Sequence, residues 1–417
     1  MSTKTDYDNA TIERLKVSLR NEGYCEGIQQ HYPPVARRFL TYLESQNLSI
    51  ETAQLSDVES FLLRELKVYR YRYGRAPRNV SAWRTAHVAP SRILLRLALG
   101  QEPREVPSQG PQEEFQRTLL CGYDTWMLEL RGLAAITRRH RVADAKKILK
   151  AFGNPCDSPA LRSLQIRDVD AYVRSRSASL GRSSIKTIMG TLRVFLRYLY
   201  GIGATSRDLS SSVSSPKIYT YEGIPSALRP EDVATALAAA RQNLTAAGIR
   251  DYAILQLLAT YGLRAGEVTT LRLDDIDWKK DILRIRHSKT GAHSILPLLQ
   301  EPGEALLAYL ERARPRTALR EVFLCLNAPY RGFKEGSCLY GVARKALTSA
   351  GVSVPGKKGP HAFRHARAVS LLRAAVPVKT IGDILGHRSA VSTGMYLKLA
   401  TEDLRAVALD IPATVSP

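Results

Sequence analysis

Two stretches of this 417-residue chain carry nearly the same short pattern 111 residues apart, and that repeat limits the folds open to its first half. LSDVESFL (Leu55 to Leu62) lies over IRDVDAYV (Ile166 to Val173), each preceded by a helical run, VARRFLTYL in one copy and ADAKKILKAF in the other. Each copy ends on a similar helix, ILLRLALG (Ile93 to Gly100) and VFLRYLYG (Val194 to Gly201), now 101 residues apart. The shift changes by 111 − 101 = 10, as a loop deletion between the helices would produce. Repetition of helical units at this size predicts two small all-helical bundles in tandem. Asp57 and Asp168 are expected as N-caps or first-turn acids of the helices that follow.

Two linkers divide the chain. In QEPREVPSQGPQ, residues 101–112, Pro, Gln and Glu replace a helical pattern, and residues 203–230 are rich in Ser and broken by Pro216, Pro225 and Pro230. The expected domains are therefore 1–105, a helical bundle; 113–205, a second bundle of which the first reads as a duplicate; and 220–417. In the third piece RPEDVATALAAAR and RDYAILQLLATYG read as helices, with Gly262 at a C-cap. The pattern then changes. Alternating Ile282, Leu283 and Ile285, then Ile295 and Leu296, predict a small antiparallel sheet with Lys289, Thr290 and Gly291 at a hairpin tip. Helices resume with GPHAFRHARAVSLLRAA, VKTIGDILGH, SAVSTGMYLKL and TEDLRAVALD. The expected fold class is mainly α with a small antiparallel β-sheet in the C-terminal domain.

Charge narrows the function. Lys and Arg number 61 against 39 Asp and Glu, a net +22 at pH 7, on a chain whose 44% hydrophobic content supports several cores. Such an excess favours a polyanionic partner, because clustered cations release condensed counterions on meeting phosphates. No apolar run reaches the ~18–20 residues of a membrane span, and the polar start MSTKTDYDNATIERLK lacks a signal-peptide core, so a cytoplasmic, nucleoid-associated protein is expected. The five cysteines, Cys25, Cys121, Cys156, Cys325 and Cys338, include no C-x-x-C pair and are expected as reduced thiols, mostly in cores. Three basic clusters interleave with aromatics or hydroxyls: VYRYRYGRAPR (Arg70, Arg72, Arg75), TRRHR (Arg138, Arg139, Arg141) and GRSSIKT (Arg182, Lys186). Each alone reads equally well as a solvated helix face; three on a +22 chain point to backbone-phosphate contact.

Six residues of the last piece sit in specific local frames: Arg264 in TYGLRAGEV, Lys289 at the hairpin tip, His361 and Arg364 three apart in HAFRH, His387 in LGHRS, and Tyr396 in TGMYLKL. In this order and spacing they resemble the tyrosine recombinase (phage integrase) family, strongly over residues 226–410 and more weakly over 113–202, which is similar to the family's core-binding domain. The extra first bundle departs from the common two-domain pattern. The resemblance implies cleavage and rejoining of double-stranded DNA recombination sites through a 3′-phosphotyrosyl intermediate without ATP, metal or cofactor. It also implies four protomers on two duplexes, with the tail from Thr401 to Pro417 docking on a neighbouring protomer, although its apolar residues suit packing within its own chain equally well. The doubled bundle suggests a transposon-borne member that works with sister recombinases.

The chemistry of the residue types agrees. Attack on a phosphodiester builds negative charge on its non-bridging oxygens, and the guanidinium forks of Arg264 and Arg364 suit that charge. A tyrosine hydroxyl with a pKa of about 10 needs cationic neighbours or a base; His361 is the candidate base for Tyr396. Lys289 is the candidate acid for the departing 5′ oxygen, His387 a donor to the same phosphate, and Glu267, three after Arg264, its orienting partner. Taken one at a time, these residues have plain rivals: Arg264 a helix-end cation, Lys289 an ordinary hairpin lysine, Tyr396 a core aromatic, and His361 half of a metal pair with His365, four residues on, although HAFRH lacks the Glu of H-E-x-x-H and His365 reads instead as a buried structural histidine. Tyr309, Tyr330 and Tyr340 compete as nucleophiles by composition only. The alternatives are a non-catalytic DNA-binding protein on the same scaffold and a type IB-like topoisomerase. An intact set of six argues against the first, and tandem bundles with a tail fit assembly better than a solitary clamp.

Overall fold

The computed structural model describes residues 4–101, 110–219, 228–287, 293–353 and 358–386. The chain divides into two compact units, Met1–Ile12 with Pro34–Glu222, and Glu13–Pro33 with Gly223–Pro417.

Helices α1 (Lys4–Asn21), α2 (Glu26–Ser45), α3 (Leu55–Tyr73) and α4 (Val80–Leu99) precede the first linker, and α5 (Pro111–Glu129), α6 (Ala135–Ala151), α7 (Ser158–Arg162), α8 (Ile166–Ser177) and α9 (Arg182–Gly201) follow it. The repeated octapeptides open α3 and α8 with the same local geometry. In each the backbone amide of an extended glutamine, Gln54 or Gln165, donates to the acid at the third helical position, Asp57 Oδ2 at 2.7 Å and Asp168 Oδ2 at 2.9 Å. The acids are first-turn residues rather than N-caps, and they satisfy an amide that would otherwise lack a partner at the helix start. Val58, Phe61 and Leu62 face inward on α3, as Val169 and Tyr172 do on α8. The α5–α9 core centres on Tyr123, Met127, Ile148, Leu149, Leu192 and Phe195.

The second unit continues with α10 (Pro230–Arg241), α11 (Ala246–Tyr261) and α12 (Ala265–Thr269), then strands β1 (Ile276–Asp277), β2 (Ile282–Arg286) and β3 (His293–Pro297), then α13 (Gln300–Arg312), α14 (Leu339–Ser349), α15 (Pro360–Arg373) and α16 (Val378–Leu385). Among the described residues the protein is thus mainly α with one three-stranded antiparallel sheet in the order β1-β2-β3. α11 is apolar nearly all round, with Ala253, Ile254, Leu255, Leu257 and Leu258 buried, and it packs against α10, α13 and α15; a helix of that composition belongs at the centre of a domain. β2 pairs with β3 so that Leu283 faces Leu296 and Arg286 faces His293. Leu283 and Ile285 are buried while Arg284 and Arg286 face solvent, the two-residue period of a half-buried strand. Tyr261 fastens the sheet to α11: its hydroxyl donates to Pro297 O at 2.8 Å and accepts from Leu299 N at 2.9 Å.

The cysteines depart from expectation. All five are free thiols, but Cys25, Cys121, Cys156 and Cys338 are exposed and Cys325 is only partly covered. Cys121 falls between Leu119 and Tyr123, which take the inward face of α5, and the other three exposed ones precede helices rather than lying on their buried stripes. Among the described residues no helix is long and apolar enough to cross a membrane.

Candidate active site

Three helix ends build the site. α11 ends at Gly262, left-handed at φ +65°, whose amide donates to Leu258 O at 3.1 Å. α16 ends at Gly386, also left-handed at φ +62°. A methyl group on Gly262 would lie 2.8 Å from Leu385 Cδ2, so the two helix ends meet closely enough that glycine is needed for space as well as for φ. Carbonyls at helix C-termini lack intrahelical partners and carry the negative end of the helix dipole.

Arg364, on the second turn of α15 and only 4% exposed, closes that junction. Its Nη1 donates to Gly262 O at 2.6 Å and its Nη2 to Leu385 O at 2.5 Å. Arg264, just past the α11 end, donates from Nη2 to Gly386 O at 2.8 Å and from Nη1 to Glu267 Oε1 at 2.8 Å. The two guanidinium groups therefore grip consecutive carbonyls, Leu385 and Gly386, although the arginines are 364 − 264 = 100 residues apart.

Glu267 lies beneath Arg264, 3% exposed. Besides Arg264 Nη1 it accepts the Arg264 backbone amide on Oε2 at 2.8 Å, which caps the five-residue α12. Oε1 also lies 2.7 Å from His287 Nδ1, and His287 Nε2 lies 2.8 Å from Ser294 Oγ. Burial acts to raise the Glu267 carboxyl pKa, but the hydrogen bonds from His287 and from the amide and guanidinium of Arg264, with the arginine's charge, outweigh it and hold the group below its ordinary value. Glu267 is thus an anion at neutral pH, as an orienting partner for Arg264 must be.

His361 stands on the first turn of α15, exposed, one helical turn before Arg364, with its ring centroid 6.2 Å from that of the half-buried His365. Lys289, His387 and Tyr396 lie outside the described residues. Lys289 belongs to the segment joining β2 to β3, and His387 directly follows Gly386. Of the rival tyrosines, Tyr309 is fully buried, its oxygen accepts Leu324 N at 3.2 Å, and burial raises its pKa, the opposite of what a nucleophile needs. His287 has no counterpart among the sequence-derived candidates; its signal was the HSK order two residues before Lys289, which reads as plain hairpin polarity until the fold places the ring against Glu267.

The basic clusters separate by environment. Arg70, Arg72 and Arg75 are exposed around the C-terminus of α3, where Gly74 turns the chain. Arg139 and Lys186 are exposed and Arg141 is half-buried. Arg138 is committed to the protein, donating to Asp124 Oδ1 at 3.0 Å and Leu133 O at 3.2 Å, and Arg182 Nη2 donates to Lys217 O at 2.5 Å.

Residues 226–403 match the phage integrase family model. A Sinorhizobium fredii protein provisionally named integrase/recombinase y4gC is 56% identical over 191 residues, 46% of this chain and 98% of that protein. A second from the same organism, provisionally named integrase/recombinase y4rF, is 32% identical over 326 residues, 78% of this chain and 74% of its own. Among solved structures, a lambda integrase dimer bound to a COC′ core site superposes with a TM-score of 0.53 at 17% identity, covering 79% of this chain and 90% of that one. That likeness speaks to the fold.

Proposed function

The chain belongs to the phage integrase family, and from that premise we propose that it is a site-specific DNA recombinase of a mobile element, an integrase or transposase, that cuts and rejoins strands through a 3′-phosphotyrosyl intermediate. The observation that carries the reading is the convergence of Arg264 and Arg364 on the consecutive carbonyls of Leu385 and Gly386, immediately before His387. Two guanidinium groups held by helix-end carbonyls are fixed before substrate arrives, so they meet the charge of the transition state without reorganising.

On this reading Arg264 and Arg364 bind the non-bridging oxygens of the scissile phosphate and His387 donates to the same group. Tyr396 attacks phosphorus, His361 takes its proton, and Lys289 returns a proton to the departing 5′ oxygen. The phosphodiester is replaced by a phosphotyrosyl ester, and attack by a 5′ hydroxyl reverses the exchange, so no ATP or metal is consumed. Glu267 fixes Arg264 from beneath. Exposed Arg70, Arg72, Arg75, Arg139 and Lys186 contact backbone phosphates, with Arg138, Arg141 and Arg182 in the same clusters. Four protomers act on two duplexes, and the domains are 1–105, 113–205 and 220–417.

The test uses duplexes selected by the protein from a random-sequence pool, nicked near the cleavage position and end-labelled. The wild type is expected to trap a protein–DNA adduct on a denaturing gel and to exchange strands between two labelled duplexes. Firm binding with no adduct would move the protein to the non-catalytic reading; nicking and resealing without exchange would move it to a topoisomerase.

A further inference from the structure

One side chain outside the assigned set lies against Glu267, Ser294 and the Gly386 turn at once. His287 follows β2 and is 3% exposed. Its Nδ1 is 2.7 Å from Glu267 Oε1, the same oxygen that receives Arg264 Nη1. Its Nε2 is 2.8 Å from Ser294 Oγ on β3. Its ring lies flat against the α16 end, so that a Cβ on Gly386 would sit 2.4 Å from Cε1 and 2.7 Å from each ring nitrogen. Glu267 holds Arg264, Gly386 supplies the carbonyl that Arg264 grips, and β2 and β3 flank the segment carrying Lys289.

We infer that His287 is a positioning residue for strand cleavage: it orients Glu267, and through it Arg264, and seats the Gly386 turn and the base of the β2–β3 hairpin in register with them. The inference rests on the proposed reading of this site as a strand-cleaving centre. His287 acts through its neighbours and touches no reacting atom. Imidazole suits the place because its two nitrogens lie on different edges of a flat ring. With the proton on Nδ1 it donates to the carboxylate while Nε2 accepts from the Ser294 hydroxyl, and the ring faces pack where only a glycine leaves room. An aliphatic residue of similar volume would leave Glu267 Oε1 one donor short in a buried place and would release Ser294. Because the influence on Arg264 runs through Glu267, losses at 287 and 267 should not add.

The test measures single-turnover cleavage of the selected, nicked duplex by the full chain, together with DNA affinity and thermal midpoint, for the wild type, His287→Ala, His287→Asn, Ser294→Ala, Glu267→Gln and the His287→Ala/Glu267→Gln double variant. His287→Ala should bind DNA within about twofold of wild type yet cleave roughly 10- to 100-fold more slowly, the scale on which small misplacements of a catalytic group act. His287→Asn, whose amide nitrogen can stand in for Nδ1 toward Glu267, should recover most of that rate. The double variant should be no slower than Glu267→Gln. Wild-type cleavage by His287→Ala, equal loss of affinity and rate, or multiplicative losses in the double variant would each overturn the inference. If His287→Ala does not fold, Ser294→Ala, which releases His287 Nε2, is measured alone and with Glu267→Gln: slower cleavage at unchanged affinity that does not add to the Glu267→Gln loss supports the inference, and wild-type cleavage overturns it. A wild type that binds but never cleaves brings down the functional reading and this inference together; a cleaving wild type with indifferent 287 variants brings down this inference alone.

Discussion

Replacing Glu267 by Gln keeps the shape of the site while removing the charge beneath Arg264, and its cost can be worked from the contacts. The carboxylate accepts three hydrogen bonds: the Arg264 amide on Oε2, and Arg264 Nη1 and His287 Nδ1 on Oε1. If the glutamine oxygen takes the doubly used Oε1 place, its amide nitrogen faces the Arg264 N–H, donor against donor. Losing a bond to a charged group in a buried place costs about 1.5–3 kcal/mol. The weakened hold on Arg264, whose side chain is 21% exposed, adds a modest amount, and relief of the carboxylate's own desolvation offsets part of it. A total of about 2–4 kcal/mol lowers the midpoint of a domain this size by roughly 5–15 °C. The pH dependence supplies a signature. The folded-state pKa of Glu267 lies below its ordinary 4.5, so its contribution is fully present above that value and is lost as pH falls through the depressed one. Thermal melts by circular dichroism should therefore show a constant gap between wild type and Glu267→Gln from pH 7 to about pH 5, narrowing at lower pH. A gap under about 2 °C at pH 7, or one that does not narrow on the acid side, would mean that the Glu267 charge does not supply this stability.

Arg364→Lys retains charge but cannot bridge Gly262 O and Leu385 O at 2.6 and 2.5 Å with one planar fork; single-turnover cleavage should fall by about 100-fold or more with DNA affinity nearly unchanged in a filter-binding assay. Gly386→Ala combines a φ of +62° with a 2.4 Å approach to His287, whereas Gly74→Ala, at φ +64°, meets no atom of the described residues within 4 Å. Chemical denaturation should show the first losing clearly more stability than the second, whose cost is the backbone term of about 1 kcal/mol. Replacing exposed Arg70 or Arg72 by Ala should flatten the plot of log affinity against log salt by about one unit for each phosphate the side chain had neutralised, while Arg138→Ala, which strips Asp124 of its partner at 3.0 Å, should register mainly as a lower melting temperature.

Periodicity and turn chemistry made much of the fold legible. The helices around Leu55 and Ile166, the strands carrying Leu283 and Leu296, and the glycine end at Gly262 all follow from local pattern. The link between Glu267 and Arg264 was legible because residues three apart at a helix start must meet. What bound Arg364 was not, since its acceptors Gly262 O and Leu385 O belong to two other helices and a backbone carbonyl has no letter of its own. His287 was hidden for the same reason: its partner lies on another element, and only tertiary packing distinguishes a buried imidazole from an exposed hairpin polar residue. The cysteines show the reverse error, where residue type suggested burial and position on the helix decided against it.

Whether this arginine pair serves cleavage by Tyr396 is decided by digesting the trapped adduct with protease and nuclease and sequencing the nucleotide-bearing peptide by mass spectrometry. A 3′-phosphonucleotide is expected on the peptide containing Tyr396, with no adduct from Tyr396→Phe. A nucleotide on any other tyrosine, or an adduct that survives in Tyr396→Phe, would contradict cleavage by Tyr396.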